Sequence, residues 1–288
     1  MRSLPRCALL AGLVTVRSLG AQRAAALAPA LADAPALADS SVRARRTRSM
    51  PQLGLNRRVA AGFIIGSVAL IPLDRQAEAW LQHPGLQSSS FAKSTAATFN
   101  WIGGTGVLAG GVAVLAIGRL TGRERLSEIG LRTTEAIVAG GVIVGAMKGV
   151  MGRQRPFIEK NDPGDFFIGR GFANGGLTSF PSGHTAAAFS AATVLSLETR
   201  RMWPRTANVV TPLLYGGAAA VGLARMYDSK HWASDVALGA TIGTLSGIQI
   251  MRYNDARPRN ALARWLAHTS LAPAGEQRVA IGLSFRLQ

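Results

Sequence analysis

The stretch Phe180-Pro-Ser-Gly-His-Thr185 leads directly into the small apolar run Ala186–Phe189, and this junction organises the whole sequence. Its proline interrupts any helix that arrives from the N-terminal side, and Ser182 is a good capping residue for a new helix. Gly183 has no Cβ, so its backbone can approach a ligand closely. Free N–H groups in the first turn of such a helix bind anions, and His184 would lie beside them. Pro-Ser-Gly is also an ordinary turn, so the flanking sequence must decide between the two interpretations.

Two further motifs flank this junction. The upstream motif is Lys148-Gly-Val-Met-Gly-Arg-Gln-Arg-Pro156, in which six residues separate a lysine from an Arg-Pro pair. The downstream motif is Ala224-Arg-Met-Tyr-Asp-Ser-Lys-His-Trp-Ala-Ser-Asp235. The three resemble, in order, the motifs KxxxxxxRP, PSGH and SRxxxxxHxxxD of the type 2 phosphatidic acid phosphatase/vanadium haloperoxidase superfamily. They cover residues 148 to 235, and the only departure is Ala224, which stands where the family has serine.

The resemblance implies an all-α fold, a transmembrane six-helix bundle, and a phosphatase that acts on a phosphomonoester or a pyrophosphate. Candidate substrates are phosphatidate, phosphatidylglycerophosphate and isoprenyl pyrophosphates. His231 is implied as the nucleophile that becomes phosphohistidine, and His184 as the acid that protonates the leaving oxygen and later activates water. Asp235 is the third implied catalytic residue. The residues implied to hold the phosphate are Lys148, Arg155, Ser182, Gly183 and Arg225.

The residue types suit this chemistry. Negative charge grows on the phosphoryl oxygens as a bond breaks, so cations and N–H donors aimed at them stabilise the transition state. Arginine offers a planar fork of donors, whereas Lys148 acts as a point charge. His231 and Asp235 are four residues apart, so on a helix they would share a face. Asp235 could then accept a hydrogen bond from one ring nitrogen and leave the other free to attack. A carboxylate in an apolar segment is costly and by default functional.

The composition indicates a membrane protein and not a nucleic-acid-binding one. The chain of 288 residues has 32 Lys and Arg against 15 Asp and Glu, a balance that often indicates nucleic acid. However, only 16% of its residues are charged and 48% are hydrophobic. Arginines that cluster between long apolar runs are typical of membrane proteins. The expected partners are therefore a phosphorylated substrate and a lipid bilayer.

Neither a metal nor another cofactor is expected from the sequence. The one cysteine, Cys7, excludes an intrachain disulfide and a cysteine-based zinc site. The histidines have no metal-ligand spacing to one another; they are His83, His184, His231 and His268. Two of them, His83 and His268, are predicted to be surface residues. Vanadate enters only under a haloperoxidase alternative, because it mimics the phosphoryl transition state.

Six apolar segments predict the helices of the bundle. Several are shorter than the ~20 residues that span a bilayer, although flanking residues can extend them. They are rich in glycine and alanine, which allows helices to approach closely in lipid. The same composition also fits buried helices of a soluble all-α domain. The segments are Leu55–Leu73, Trp101–Gly118, Ala136–Val150, His184–Leu197, Ala207–Ala224 and Trp232–Met251.

The distribution of arginine predicts the orientation of the bundle. If the first segment begins in the cytoplasm, alternate connections carry most of the arginines, in accordance with the positive-inside rule. The first outside loop, Asp74 to Asn100, has only Arg75 and Lys93. All three motifs then lie on the extracytoplasmic face. The arginines of the inside stretches are Arg43, Arg45, Arg46, Arg48, Arg57, Arg58, Arg119, Arg123, Arg125, Arg132, Arg200, Arg201, Arg205, Arg252, Arg257, Arg259 and Arg264.

Three domains are expected along the chain. Residues 1–50 form a basic N-terminal segment that is signal-like or disordered, residues 51–255 the catalytic domain and residues 256–288 a tail. An apolar run after Arg6 is typical of a secretory signal, with a transit peptide or an uncleaved arm as alternatives. Cleavage would turn the site inward in a six-span arrangement. Either the segment stays attached, or Leu55–Leu73 does not span. Apolar residues alternate from 279 to 287, which predicts an edge strand or a partner-binding tail.

Other functions remain open at the level of sequence. A soluble periplasmic acid phosphatase would use the same pocket, and so would a vanadate-dependent haloperoxidase, although no region that would shape a halide site is evident. A catalytically idle membrane binding protein is the alternative from another class, and the intact His184, His231 and Asp235 argue against it. Asp162 and Asp165 lie between the motifs and could shape the entrance of the site.

Overall fold

The computed structural model describes residues 57–158, 162–257, 269–273 and 279–283, and these residues are nearly all helical. The predicted all-α bundle is confirmed. The N-terminal segment 1–50 lies outside the described residues, and so does His268. The α-helices are α1 (Arg57–Ala69), α2 (Asp74–Leu81), α3 (Pro84–Gln87), α4 (Ser90–Trp101), α5 (Val107–Leu120), α6 (Glu124–Met151), α7 (Gly183–Met202), α8 (Pro204–Tyr227) and α9 (Ala233–Ala256).

The helices at the first two predicted segments extend beyond the apolar stretches that predicted them. Helix α1 continues through a 3₁₀ turn, Ile71–Leu73, into α2, and α4 continues through a π-helical turn, Ile102–Gly106, into α5. Most of the predicted outside loop from residue 74 to residue 100 is therefore helical. The apolar pattern ended at Asp74 because that residue is charged, yet α2 is amphipathic and buries Asp74, Glu78 and Leu81.

Four of the helical stretches are long and apolar enough to cross a membrane. These are Arg58–Leu81, Ser90–Leu120, Glu124–Met151 and Pro204–Tyr227. Helices α7 and α9 fall outside this group because they carry buried hydroxyl residues, among them Ser190, Thr193 and Ser246. Their polarity is tolerated because α7 packs against α6, α8 and α9, and α9 also contacts α1.

Three glycines explain how closely α7 and α9 approach. Gly239, Gly243 and Gly247 are spaced four residues apart along α9. A Cβ at Gly243 would lie 2.3 Å from the carbonyl oxygen of Ala186, and one at Gly239 would lie 2.4 Å from that of Ser182. Small residues at this spacing let two helix backbones come into contact. This contact holds the start of α7 against the first turns of α9.

The segment that follows α6 is fixed by its backbone. Helix α6 ends at Gly152, whose φ of 59° is left-handed and whose N–H donates to Lys148 O at 3.1 Å. A Cβ at Gly152 would lie 1.9 Å from Phe167 O, so glycine is required there for space as well as for conformation. Further along, Ser179 N donates to Arg153 O at 3.0 Å. The segment that carries the first motif is thus tied to the residues just before α7.

The C-terminal residues that the structure describes form an antiparallel hairpin. Strand β1 (Thr269–Pro273) pairs with β2 (Val279–Leu283), with Thr269 opposite Leu283 and Pro273 opposite Val279. The strand that the alternating apolar residues predicted is confirmed for residues 279–283. The strand pairs with a segment of the same chain that the alternation did not predict. Residues 284–288 lie outside the described residues.

Candidate active site

The three motifs meet at one end of the bundle because each lies where a helix ends or begins. The C-terminal turn of α6 carries Lys148, and the C-terminal turn of α8 carries Arg225. Helix α7 begins with Gly183 and His184, and α9 carries Asp235 in its first turn. One direct link between motifs is a hydrogen bond from Ser182 N to Asp235 O, 2.9 Å long.

The first turn of α7 has the free N–H groups that the sequence predicted, but the contacts of Ser182 differ from the prediction. Ser182 precedes the helix as predicted, but it makes no side-chain capping bond to the first turn. Its hydroxyl instead lies 2.8 Å from the hydroxyl of Thr185. The first N–H groups of a helix have no acceptor within the helix. Those of Gly183 and His184 are therefore available to phosphoryl oxygens, and the dipole of α7 favours a negative charge there.

Two cations of the site are anchored on the turn before α7. Lys148 Nζ donates to the carbonyl oxygen of Thr178, and it lies 3.4 Å from that of Ser179. Arg155 donates to the hydroxyl of Thr178 at 3.0 Å and to the carbonyl oxygen of Lys230 at 3.1 Å. A Cβ at Gly183 would lie 3.9 Å from Lys148 Cε, which places the lysine stem beside the helix start. Both charges are thereby held close to the predicted phosphate position.

Arg225 is held by a residue of α4, a helix that carries none of the three motifs. Its Nη1 donates to Asn100 Oδ1 at 3.2 Å, and Asn100 Nδ2 donates to Asp228 Oδ2 at 2.6 Å. Within the part of the chain that the structure describes, the buried Arg225 Nε has no hydrogen-bond partner. Ala224, where the family has serine, packs in an apolar cluster with Ala96. The departure from the family motif is therefore accommodated by packing.

His231 and Asp235 come together, but not on one helical face. His231 lies in the turn before α9, whose N-cap is Trp232. Asp235 Oδ2 accepts from Trp232 N at 2.8 Å, and this capping bond turns the carboxylate back toward the histidine. The distance from His231 Nδ1 to Asp235 Oδ2 is 3.5 Å. This is longer than a good hydrogen bond, and catalytic contacts are often loose before substrate binds. Nδ1 faces the carboxylate, so Nε2 is left to face the substrate.

Burial and the surrounding cations favour the neutral form of both histidines. Burial lowers the pKa of His231 to about 3, with Lys148 and Arg155 adding to the effect and Asp235 opposing it. Burial lowers the pKa of His184 to about 4, and Arg225, Lys148 and Arg155 lower it further. All three cations thus act on His184, which shows that they converge. A neutral imidazole at His231 is the form that can attack phosphorus.

Five residues that contribute to the site were missed by the sequence reasoning. Ser179 and Arg153 lie inside or next to the quoted motifs, but nothing in their spacing assigned them a role. Ser234 lies between the two assigned residues of the third motif. Asp74 and Asn100 lie far away in sequence, and the signal that could have found Asp74 is its position directly after an apolar segment. The contacts of these residues depend on the tertiary structure.

The remaining polar residues that the sequence singled out make local contacts outside the group of motif residues. Asp162 is exposed and accepts from Gly164 N at 2.7 Å, and the carbonyl oxygen of Asp165 accepts from Gln154 N at 3.1 Å. Both stabilise the loop between α6 and α7. His83 is exposed, as predicted, and accepts from Gly85 N at 3.3 Å.

Comparison with known proteins identifies the family. Residues 130–259 match the model of the PAP2 superfamily, and every residue that the motifs assigned lies in this range. This segment of the chain belongs to the PAP2 superfamily. The match covers 130 of the 288 residues and confirms the resemblance carried by the three motifs. It includes α7, α8 and α9 completely and most of α6.

Three individual proteins are similar to this chain. Lipid A 1-phosphatase of Porphyromonas gingivalis is 44% identical over 71 residues, which are 24% of this chain and only 15% of that protein. The crystal structure of Aquifex aeolicus LpxE is similar with a TM-score of 0.45 and 26% identity, over 63% of this chain and 96% of the other. The Bacillus subtilis transmembrane PAP2-type phosphatidylglycerolphosphate phosphatase has a TM-score of 0.52 and 18% identity, over 68% and 94%. The last likeness shows the fold.

Proposed function

We propose that this PAP2 chain is a phosphatase that hydrolyses a phosphomonoester or a pyrophosphate through a phosphohistidine on His231. One observation carries the proposal: three cations and the start of α7 surround two histidines whose lowered pKa values favour the neutral form. This arrangement fits an anion that gains charge during the reaction. It also leaves a neutral ring nitrogen as the nucleophile.

The first step transfers the phosphoryl group to the enzyme. His231 Nε2 attacks phosphorus, and the bond from phosphorus to the leaving oxygen breaks. Lys148, Arg155 and Arg225 stabilise the charge on the three equatorial oxygens, together with the N–H groups at the start of α7. His184 gives its proton to the leaving oxygen. A bound phosphate dianion raises the pKa of His184, because its negative charge offsets the three cations.

The second step releases inorganic phosphate. His184 is now neutral, so it can accept a proton from water while the water oxygen attacks phosphorus. The bond from phosphorus to His231 Nε2 breaks, and the ring returns to its starting state. Asp235 stabilises the positive charge of the ring while it is phosphorylated. We propose that neither metal nor another cofactor takes part, because the cations of the chain supply the charge that the reaction needs.

We further propose that the substrate is a lipid phosphate. Large apolar side chains are exposed around the site; they are Trp101, Phe157, Ile158, Ile168 and Phe172. The four apolar helices would place this surface next to a bilayer. The relative that is a lipid A 1-phosphatase supports the same class of substrate. Phosphatidate, phosphatidylglycerophosphate, isoprenyl pyrophosphates and lipid A are the candidates to compare.

The orientation predicted from arginine places the site on the extracytoplasmic face, and we propose that orientation here. Arg125, Arg132 and Arg201 lie at the opposite end of the bundle, where they surround the buried Glu198. The positive-inside rule places that end in the cytoplasm.

The proposed function predicts that His231→Ala abolishes turnover on every substrate. We expect a loss of at least about 10⁴-fold, because the nucleophile is removed. The purified protein in detergent would be assayed for phosphate release on the four lipids and on an aryl phosphate. Brief incubation with ³²P-labelled substrate should give acid-labile, base-stable labelling of the wild-type protein and none of the variant.

The controls separate the parts of the proposal. His83→Ala, an exposed histidine away from the motifs, should keep full activity. Activity of the wild type should survive a chelator and should be inhibited competitively by vanadate. Hydrolysis of the aryl phosphate alone would contradict the lipid substrate and leave the phosphatase intact. Chelator-sensitive activity that persists in His231→Ala would overturn the mechanism.

A further inference from the structure

Arg153 is the most completely enclosed cation among the described residues, and the proposed chemistry does not use it. Its side chain has no exposed surface. The guanidinium carbon lies 5.0 Å from the centre of the Phe166 ring, 5.5 Å from that of Trp232 and 5.7 Å from that of Phe180. Burying an arginine is costly unless its charge is paired and its donors are satisfied.

The guanidinium joins two buried carboxylates. Its Nη1 lies 2.6 Å from Asp235 Oδ1, and its Nη2 lies 2.7 Å from Asp74 Oδ2. Its Nε donates to Pro163 O at 3.0 Å. Ser234 completes the arrangement, because its N–H donates to Asp74 Oδ1 at 2.8 Å and its hydroxyl accepts from Arg153 Nη1 at 2.7 Å. All donors of this group point at acceptors on three different elements.

The two oxygens of the Asp235 carboxylate have different partners. Oδ1 is occupied by Arg153. Oδ2 accepts from Trp232 N and from the hydroxyl of Ser179, and it is the oxygen that faces His231 Nδ1. With Oδ1 held, the carboxylate cannot rotate to present a different oxygen or a different angle to the histidine.

We propose that Arg153 and Asp74 are positioning residues that hold Asp235 in the orientation that serves His231. Asp74 touches neither histidine, so it acts through Arg153 and through Ser234, the neighbour of Asp235 in the first turn of α9. Helix α2 thereby contributes a residue to the site, although it lies outside the region matched by the family model. The inference rests on the proposed roles of His231 and Asp235.

The test is a double-mutant cycle between Asp74 and Asp235. Asp74→Asn keeps the shape of the side chain and removes its charge, and we expect kcat to fall roughly 10- to 100-fold, as for other residues that orient an active-site group. The KM and the inhibition constant of vanadate should stay unchanged, because Asp74 does not contact the phosphate site. In the Asp235→Asn background the same substitution should cause little further loss.

Arg153→Lys provides a second arm. Lysine keeps the charge but cannot reach both carboxylates at once, so we expect a loss of similar size that is again absent in the Asp235→Asn background. Glu198→Gln is the matched control, because Glu198 is also buried and paired with arginines, at the other end of the bundle. It should lower the melting temperature without changing the kcat of the folded protein.

A spectroscopic readout decides the inference without turnover. The chain has four histidines, so ¹⁵N-histidine NMR spectra of the full chain in detergent can be assigned with His231→Ala. We expect the wild type to show His231 protonated at Nδ1, and Asp74→Asn and Arg153→Lys to show increased Nε2 protonation. Losses that multiply with Asp235→Asn, or a His231 signal unchanged in both variants, would overturn the inference. Absence of phosphate release by the wild type would refute the proposed function alone.

Discussion

At the scale of single residues, the two histidines differ in what surrounds them. His231 is enclosed and faces a carboxylate through Nδ1, whereas His184 faces the three cations and the π-helical turn. A Cβ at Gly104 would lie 3.0 Å from His184 Nε2, so glycine leaves that nitrogen accessible. These surroundings are consistent with the roles proposed above, in which His231 attacks phosphorus and His184 moves a proton.

The pKa of His184 predicts how the rate depends on pH. In the free enzyme it is about 4, so the protonated form that can act as an acid falls tenfold per pH unit above that value. A phosphomonoester becomes a dianion near its second pKa of about 6. The protonated fraction of His184 multiplied by the dianionic fraction of the substrate is therefore constant between about pH 4 and 6. Above about pH 6 this product falls tenfold per pH unit. His231, with a pKa of about 3, is neutral throughout.

We therefore expect kcat/KM for an alkyl phosphate to fall tenfold per unit above about pH 6 in the wild type. In His184→Ala it should be lower by about 10²–10⁴-fold. An aryl phosphate, whose leaving oxygen is stable as an anion, should lose less. Steady-state rates between pH 4 and 9 measure both effects. Equal losses on the two substrates would show that His184 does not protonate the leaving group.

At the scale of elements, the contact between α7 and α9 decides the geometry of the site. The start of α7 carries Gly183 and His184, and the first turn of α9 carries Asp235. Their separation depends on the backbone approach that Gly239 and Gly243 allow. Because the carbonyl oxygens opposite these glycines belong to the helix backbone, an added Cβ cannot be accommodated by a rotamer change.

Gly243→Ala should therefore destabilise the fold strongly. The added Cβ would lie 2.3 Å from Ala186 O and 2.9 Å from Phe189 Cβ, so the helices must separate. We expect a loss of about 2–4 kcal/mol in the free energy of unfolding, in the range of other core substitutions that cause steric overlap. Gly217→Ala in α8 is the matched control, because nothing lies within 4 Å of its added Cβ. Thermal melting in detergent measures both, and equal stability of the two variants would contradict the packing.

At the scale of the whole molecule, charge separates the two ends of the bundle. One end holds Lys148, Arg155 and Arg225 around the proposed phosphate site. At the other end several arginines are paired with carboxylates, among them Arg132 with Glu198 and Arg201 with Asp255, at 2.5 Å for the latter pair. An end with unneutralised cations is suited to bind an anion, and an end with paired charges is suited to stability.

The orientation can be tested with reporters. A reporter placed after Arg132 should behave as cytoplasmic, and one placed near Gly175 as extracytoplasmic, because arginine is concentrated on the first side. Activity of a dual phosphatase and β-galactosidase reporter in cells measures both positions. Reversed behaviour would overturn the orientation. Extraction of the protein by alkaline carbonate would instead favour a soluble enzyme.

The sequence by itself determined the family resemblance and the helical architecture, and it predicted the composition of the phosphate site. These follow from local patterns: three spaced motifs, apolar segments of helical length and the residue types that neutralise a phosphoryl group. The start of α7 could be located because Pro181 cannot continue a helix from its N-terminal side, for reasons of backbone geometry alone. The roles of His231, His184 and Asp235 remain predictions that the proposed experiments test.

The tertiary structure alone decided which groups hold these residues in place. Asp74, Asn100 and Arg153 acquire partners that lie between 79 and 160 residues away in sequence. No local pattern encodes such a distance, because contacts of this kind depend on how six helices pack. The capping bond that brings Asp235 to His231 was also not predicted from the sequence. The spacing of the two residues predicted a shared helical face, whereas His231 lies before the helix begins. Packing supplied the orientation of groups whose identity the motifs had already specified.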